Sequence, residues 1–169
     1  MTMRSTKWSV QDGATRKIEF DGQMLGEVSS RRSGAPRWTE LRLYRSDSGI
    51  FVLEKVGRSV VLHAPDCREI LPDANLPRFQ TMHPGEDPAD GSFWFCESCG
   101  RRAASDITSM LIEADRHWAL VSETPEEIVD SLYRRKGGAK SLPRMSIDLL
   151  EEASAVSPEL LSAYQVEVI

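Results

Sequence analysis

"RWTELRLYRSDSGIFVLEKV", residues 37–56, decides how the chain is read. In an extended strand, Leu41 and Leu43 fall on one face and Trp38, Glu40, Arg42 and Tyr44 on the other. That period of two belongs to a strand with one face in a core. "SDSG" at 46–49 breaks the pattern, "IFVLEKV" resumes it, and Gly57 breaks it again before "SVVLHA" at 59–64. Upstream, "RKIEFDGQMLGEVSSR" at 16–31 alternates in part and carries a turn signal at Asp21-Gly22. Short β-rich runs joined by Gly, Asp and Ser turns predict an antiparallel meander over residues 14–62. Residues 1–13 are polar and read as a loose N-terminus.

Residues 63–103 differ in kind. Pro65, Pro72, Pro77, Pro84 and Pro88 exclude long regular structure. A loop of this length needs something to order it, and a metal clip would do so. Residues 104–169 read as mixed, then helical. "SMLIE" and "HWALVSE" flank "ADR" as in a hairpin over 107–122, although Ile107, Met110, Leu111, Ala114 and Trp118 also fit a helical stripe. In "ETPEEIVDSLYRRKGG", Thr124 suits an N-cap, Pro125 the first helical position and Glu127 a capping box. Arg134, Arg135 and Lys136 then suit the last turn, with Gly137 as a left-handed cap. Leu142, Met145, Leu149, Leu150 and Ala153 form a second helical stripe. Ser157-Pro158 opens a third helix with Leu160, Leu161 and Tyr164, and "QVEVI" ends as a strand stub. The fold class is therefore α+β: an N-terminal antiparallel β-meander, a zinc-clipped loop-rich segment and C-terminal helices, in one compact unit.

The chain has 169 residues, 40% of them hydrophobic and 28% charged, which excludes a wholly disordered chain. Its net charge is −5, but residues 1–60 hold 11 basic and 7 acidic side chains. That mild excess falls short of a nucleic-acid footprint. No stretch approaches a signal peptide or a membrane span, so no membrane partner is expected. Three cysteines cannot all pair within one chain, which points to a reducing, cytoplasmic setting.

Those cysteines sit in "HAPDC", residues 63–67, and "CESCG", residues 96–100. Cys-x-x-Cys brings two sulfurs to one side of a tight turn, and Gly100 follows where such a turn needs positive φ. His63 and Cys67 supply a second pair across Pro65. The ligand set is thus His63, Cys67, Cys96 and Cys99, with His83 as an alternative to His63. These two half-motifs resemble zinc-ribbon and treble-clef sites locally, and the resemblance covers no more of the chain. It implies a structural Zn2+, of neutral His and thiolate Cys ligands. Such a metal contributes about 10–16 kcal/mol in small zinc-finger peptides, as much as a whole domain's stability. Arg101 and Arg102 follow the second pair and would offset its negative charge.

Other chemistry is less well supported by the residues. The zinc deaminases use His-x-Glu followed by Pro-Cys-x-x-Cys, but here position 65 is proline and position 95 phenylalanine. A zinc-dependent hydrolase or deaminase therefore stands only as an alternative. A second alternative is nucleic-acid binding through Arg31, Arg32, Arg101, Arg102, Arg134, Arg135, Lys136 and Lys140. The leading expectation is a zinc-stabilised binding or adaptor module in a larger protein assembly. Leu160, Leu161, Tyr164, Val166, Val168 and Ile169 form an apolar end that suits a protein partner.

Overall fold

A computed structural model describes residues 4–70, 76–100, 102–103 and 107–165. The architecture is α+β, with about 40% strand and 22% helix, so a sheet is the scaffold and the helices cover it. The chain divides into two compact units. The first comprises the described residues of Met1–Ser30, Thr39–Val56 and Arg116–Ile169, and the second those of Arg31–Trp38 and Gly57–Asp115. No helix among the described residues is long and apolar enough to cross a membrane.

β1 (Thr6–Asp12), β2 (Arg16–Ser29), β3 (Arg37–Ser46), β4 (Phe51–Ser59) and β8 (Arg116–Ser122), most of whose residues belong to the first unit, form a sheet in the order β1-β2-β3-β4-β8. β1 and β2 pair antiparallel from Thr6↔Gly22 to Asp12↔Arg16, and β2 pairs antiparallel with β3 across a bulge between Met24 and Gly26. The sheet curls, so that Gly13 N–H reaches the His117 carbonyl at 2.9 Å. Two readings of the sequence need correction here. The stretch taken as a loose N-terminus contains β1, with Val10 only 1% exposed and Trp8 Nε1 donating to the Gly22 carbonyl. Pairing with a distant strand orders residues whose own composition is polar. Asp21-Gly22 is not a turn but the middle of β2, where an added Cβ would lie 2.2 Å from the Arg45 carbonyl oxygen. The glycine there permits close strand approach.

The Leu41/Leu43 face behaves as its periodicity requires. Leu25, Leu41, Leu43, Phe51 and Leu53 pack against α2 (Pro125–Leu132), α3 (Arg144–Ser154) and α4 (Pro158–Gln165) through Ile128, Leu149, Leu150 and Leu160. The opposite face is no simple solvent face. Tyr44 is 3% exposed and packs with Val10 and Val52. Its hydroxyl donates to Glu54 at 3.1 Å, and Arg42 pairs with Glu27, Glu40 and Glu54 at 2.7–3.4 Å. Burial, then the Glu54 carboxylate, push the Tyr44 phenol well above its usual range.

The C-terminal helices form, with two local differences. Thr124 makes no side-chain cap, and Glu127 instead accepts from Ser122 Oγ at 2.7 Å. α2 ends at Leu132, and Arg134–Lys136 and Ala139–Ser141 are strands β9 and β10 of a separate hairpin. Gly137 and Gly138 both have positive φ, as a two-residue mirror-image turn demands, so Gly-Gly marks a ribbon tip and not a helix cap. In α4, Leu160 and Ala163 are buried but Leu161 is exposed. Val166, Val168 and Ile169, and with them most of the "QVEVI" stub, lie outside the described residues.

In the second unit, β5 (Val61–His63) is central, with β6 (Trp94–Phe95) parallel on one side and β7 (Leu111–Ile112) antiparallel on the other. A single helical turn, α1 (Phe79–Met82), buries Phe79 with Val61, Leu62, Met110, Ile112 and the three cysteines. Residues 107–122 thus hold strands and no helix, but β7 and β8 belong to different sheets and do not pair as a hairpin.

Candidate metal centre

The cluster is built by β5 and by the turns that follow β5 and β6. His63 closes β5, where every residue is buried, and the chain then turns so that Cys67 N–H bonds the Ala64 carbonyl at 3.0 Å. Cys96 follows β6, tied by its N–H to the Leu62 carbonyl at 2.9 Å. The parallel β5–β6 pairing therefore sets Cys96 beside the His63 turn across a long gap in sequence. Cys99 comes back over Cys96 in a tight turn closed by Gly100 N–H to the Cys96 carbonyl at 2.7 Å, with Gly100 at φ +39°.

The result is four buried donors, His63, Cys67, Cys96 and Cys99, whose ligand atoms all lie within 4.8 Å of one another. Zinc–sulfur bonds near 2.3 Å and zinc–nitrogen bonds near 2.05 Å in a tetrahedron imply edges of about 3.8 Å between sulfurs and about 3.5 Å between sulfur and nitrogen. Cys67 Sγ and Cys96 Sγ are 3.7 Å apart, and His63 Nδ1 is 3.4 Å from Cys67 Sγ. The donor chemistry and these two edges both fit a tetrahedral metal of the zinc type. His83 is elsewhere: it pairs with Glu86, stacks on Phe79 and meets Phe93 edge-on, outside the four-residue cluster.

The surroundings favour a cation. Burial pushes the Cys99 thiol up to about 11, and the neighbouring sulfurs add to this, against a lowering by the Ala64 N–H that donates to Cys99 Sγ at 3.4 Å. A thiol in that state loses its proton at neutral pH only when a positive charge takes its place. His63 uses its second nitrogen outward: Nε2–H donates to Glu113 Oε1 at 2.7 Å, which leaves Nδ1 facing the sulfurs as a lone-pair donor. Glu113 is fixed in turn by Arg37 Nε at 2.8 Å and Ser59 Oγ at 2.7 Å. Burial alone would raise the Glu113 pKa, but the hydrogen bonds from Arg37, His63 and Ser59 outweigh it and hold it at about 2. This carboxylate–imidazole pairing is the usual outer support of a metal-bound histidine. Glu69 reaches the other side, with Cys96 Sγ 3.7 Å from Oε2 and Ser98 Oγ donating to Oε1 at 2.7 Å.

Sequence reasoning missed Glu113, Arg37, Ser59 and Glu69. No local spacing links Glu113 to a histidine fifty positions earlier. Only the antiparallel β5–β7 register, His63↔Leu111, brings them together.

The basic residues singled out in the sequence are scattered and partly neutralised. Arg102 bonds Asp66 at 2.7 Å and the Ser98 carbonyl at 3.4 Å, tying the two ligand turns together. Arg31 lies 4.6 Å above the Trp38 ring, and Arg32 is exposed. Arg135 and Lys140 share Asp130, at 3.4 and 3.0 Å. Arg134 and Lys136 have no acidic partner among the described residues, and Arg101 lies outside them.

No family model, curated protein or solved structure matches this chain. The functional reading therefore rests on the residues alone.

Proposed function

We propose that the protein is a zinc-stabilised binding module that works within a larger protein assembly. The observation that carries the zinc reading is the buried His63–Cys67–Cys96–Cys99 set, all within 4.8 Å of one another, with the His63–Cys67 and Cys67–Cys96 edges of tetrahedral length. Four protein donors complete a zinc shell and leave no position for a reactive water, which argues for an architectural metal and against a hydrolase or deaminase. The unit around the site is small and built on two- and three-residue strands, so metal binding would supply much of its folding energy. The binding role is supported by large apolar side chains left in solvent on this same unit: Trp94, Ile107 and Met82 are 44%, 41% and 56% exposed.

The test is metal analysis of purified protein beside Cys96→Ser and Cys67→Ser. One zinc per chain in the parent, and loss of it in both variants, is the expected result. A parent protein without bound zinc after purification and zinc re-addition overturns the reading. For the partner, affinity capture from the native host should yield a defined protein that the Trp94→Ala variant fails to retain.

A further inference from the structure

The first unit carries a hollow that the metal reading does not use. Its volume is about 340 Å³, and its walls come from β3, β4, the end of α2 and the start of α3. Leu41, Leu132, Tyr133 and Met145 are its large apolar lining residues, and Lys55 and Arg134 its cations. No carboxylate lines it. Both cations are exposed and neither has an acidic partner among the described residues.

Three features make this more than an accidental dent. The nearby acid, Asp130, is already held by Arg135 and Lys140. The β9–β10 register sets Arg135 opposite Lys140 and Arg134 opposite Ser141, so the pleat turns Arg134 to the other face of the ribbon from that neutralised pair. The two serine hydroxyls that line the hollow are also engaged: Ser131 Oγ donates to the Ile128 carbonyl at 2.7 Å and Ser146 Oγ to the Leu132 carbonyl at 3.2 Å. The charged handles left for a ligand are therefore Lys55 and Arg134, beside an apolar lining.

A volume of this size is that of a small-molecule site, and apolar walls with a few polar handles are its usual composition. We infer that the hollow binds an amphipathic organic carboxylate, with the carboxylate between Lys55 and Arg134 and the hydrocarbon body over Leu41, Leu132 and Met145. Each half of the ligand answers one half of the site. An uncharged chain would leave the cations unmatched, and a bare anion would leave the apolar lining wet. The first unit contains none of the metal cluster's residues, so this inference stands or falls apart from the zinc reading.

The test is an NMR titration of the full-length protein with decanoate, decanol and acetate, following the methyl groups of Met145, Leu41 and Leu132. Decanoate should give saturable shifts at these methyls, with decanol and acetate each bound at least about tenfold more weakly. The exposed pair Lys55→Glu/Arg134→Glu should weaken decanoate by about tenfold or more, as loss of two screened ion pairs implies. The milder pair Lys55→Gln/Arg134→Gln, which adds no repulsion, should give a smaller loss in the same direction. The inference is overturned if decanol binds as well as decanoate, if the shifts map elsewhere, if the variants bind like the parent, or if decanoate causes no saturable shift.

Discussion

Replacing Glu113 with glutamine tests the metal centre at its support and leaves all four ligands in place. In the parent, the Glu113 carboxylate accepts from His63 Nε2, from Arg37 and from Ser59 Oγ. An amide can accept at only one oxygen, and its NH2 group would face other donors. A hydrogen bond to a charged group is worth about 1.5–3 kcal/mol and a neutral one about 0.5–1.5 kcal/mol, so the His63 contact alone loses about 1 kcal/mol or slightly more. One donor left without a partner adds about the same again. Together these predict zinc binding weakened by about 10–100-fold, the range seen for outer-shell partners elsewhere. Competition against a chromophoric chelator at fixed pH measures it directly. Ser59→Ala, which removes a donor and no charge, should cost less than about tenfold. If Glu113→Gln folds and holds zinc within about twofold of the parent, His63 is not oriented through Glu113 and the reasoning fails.

Other expectations concern the first unit. Leu149, fully buried beneath Gly26, should cost about 2–5 kcal/mol when cut to alanine, read from urea unfolding. Gly22→Ala would place a Cβ 2.2 Å from the Arg45 carbonyl oxygen and 2.7 Å from Ser46 Cα, and should destabilise by about 1–3 kcal/mol through separation of β2 from β3; unchanged stability would contradict that register. Tyr44 has a raised folded-state pKa, so its contribution is full below the ordinary phenol range near pH 10 and falls as pH rises above it. Unfolding free energy should decline there with a slope that Tyr44→Phe reduces, and absorbance titration should show Tyr44 ionising late.

Periodicity was legible wherever one face meets a core. Leu41 and Leu43 on β3, and Leu149, Leu150 and Ala153 on α3, lie where their spacing puts them. The clustering of His63, Cys67, Cys96 and Cys99 was legible because cysteine and histidine are rare in this chain and their spacing is chemical. The burial of the Tyr44 and Arg42 face was not legible from periodicity alone, since a curled sheet encloses both sides and a buried ion network looks polar in sequence. β1 was hidden because its order comes from β2 and β8 and not from its own residues. Arg134–Lys136 resembled a helix end because basic residues before Gly-Gly suit both a C-terminal turn and a ribbon; the two consecutive positive φ angles favour the ribbon. The hydrogen-bonded surround of His63, Glu113 with Arg37 and Ser59, depends on strand register across long gaps, which no local pattern encodes.

X-ray absorption at the zinc edge of the purified protein addresses the metal centre most directly. Three sulfur neighbours at about 2.3 Å and one nitrogen at about 2.0–2.1 Å are the predicted shell. A shell of oxygen and nitrogen alone, or an absent zinc edge, would contradict it.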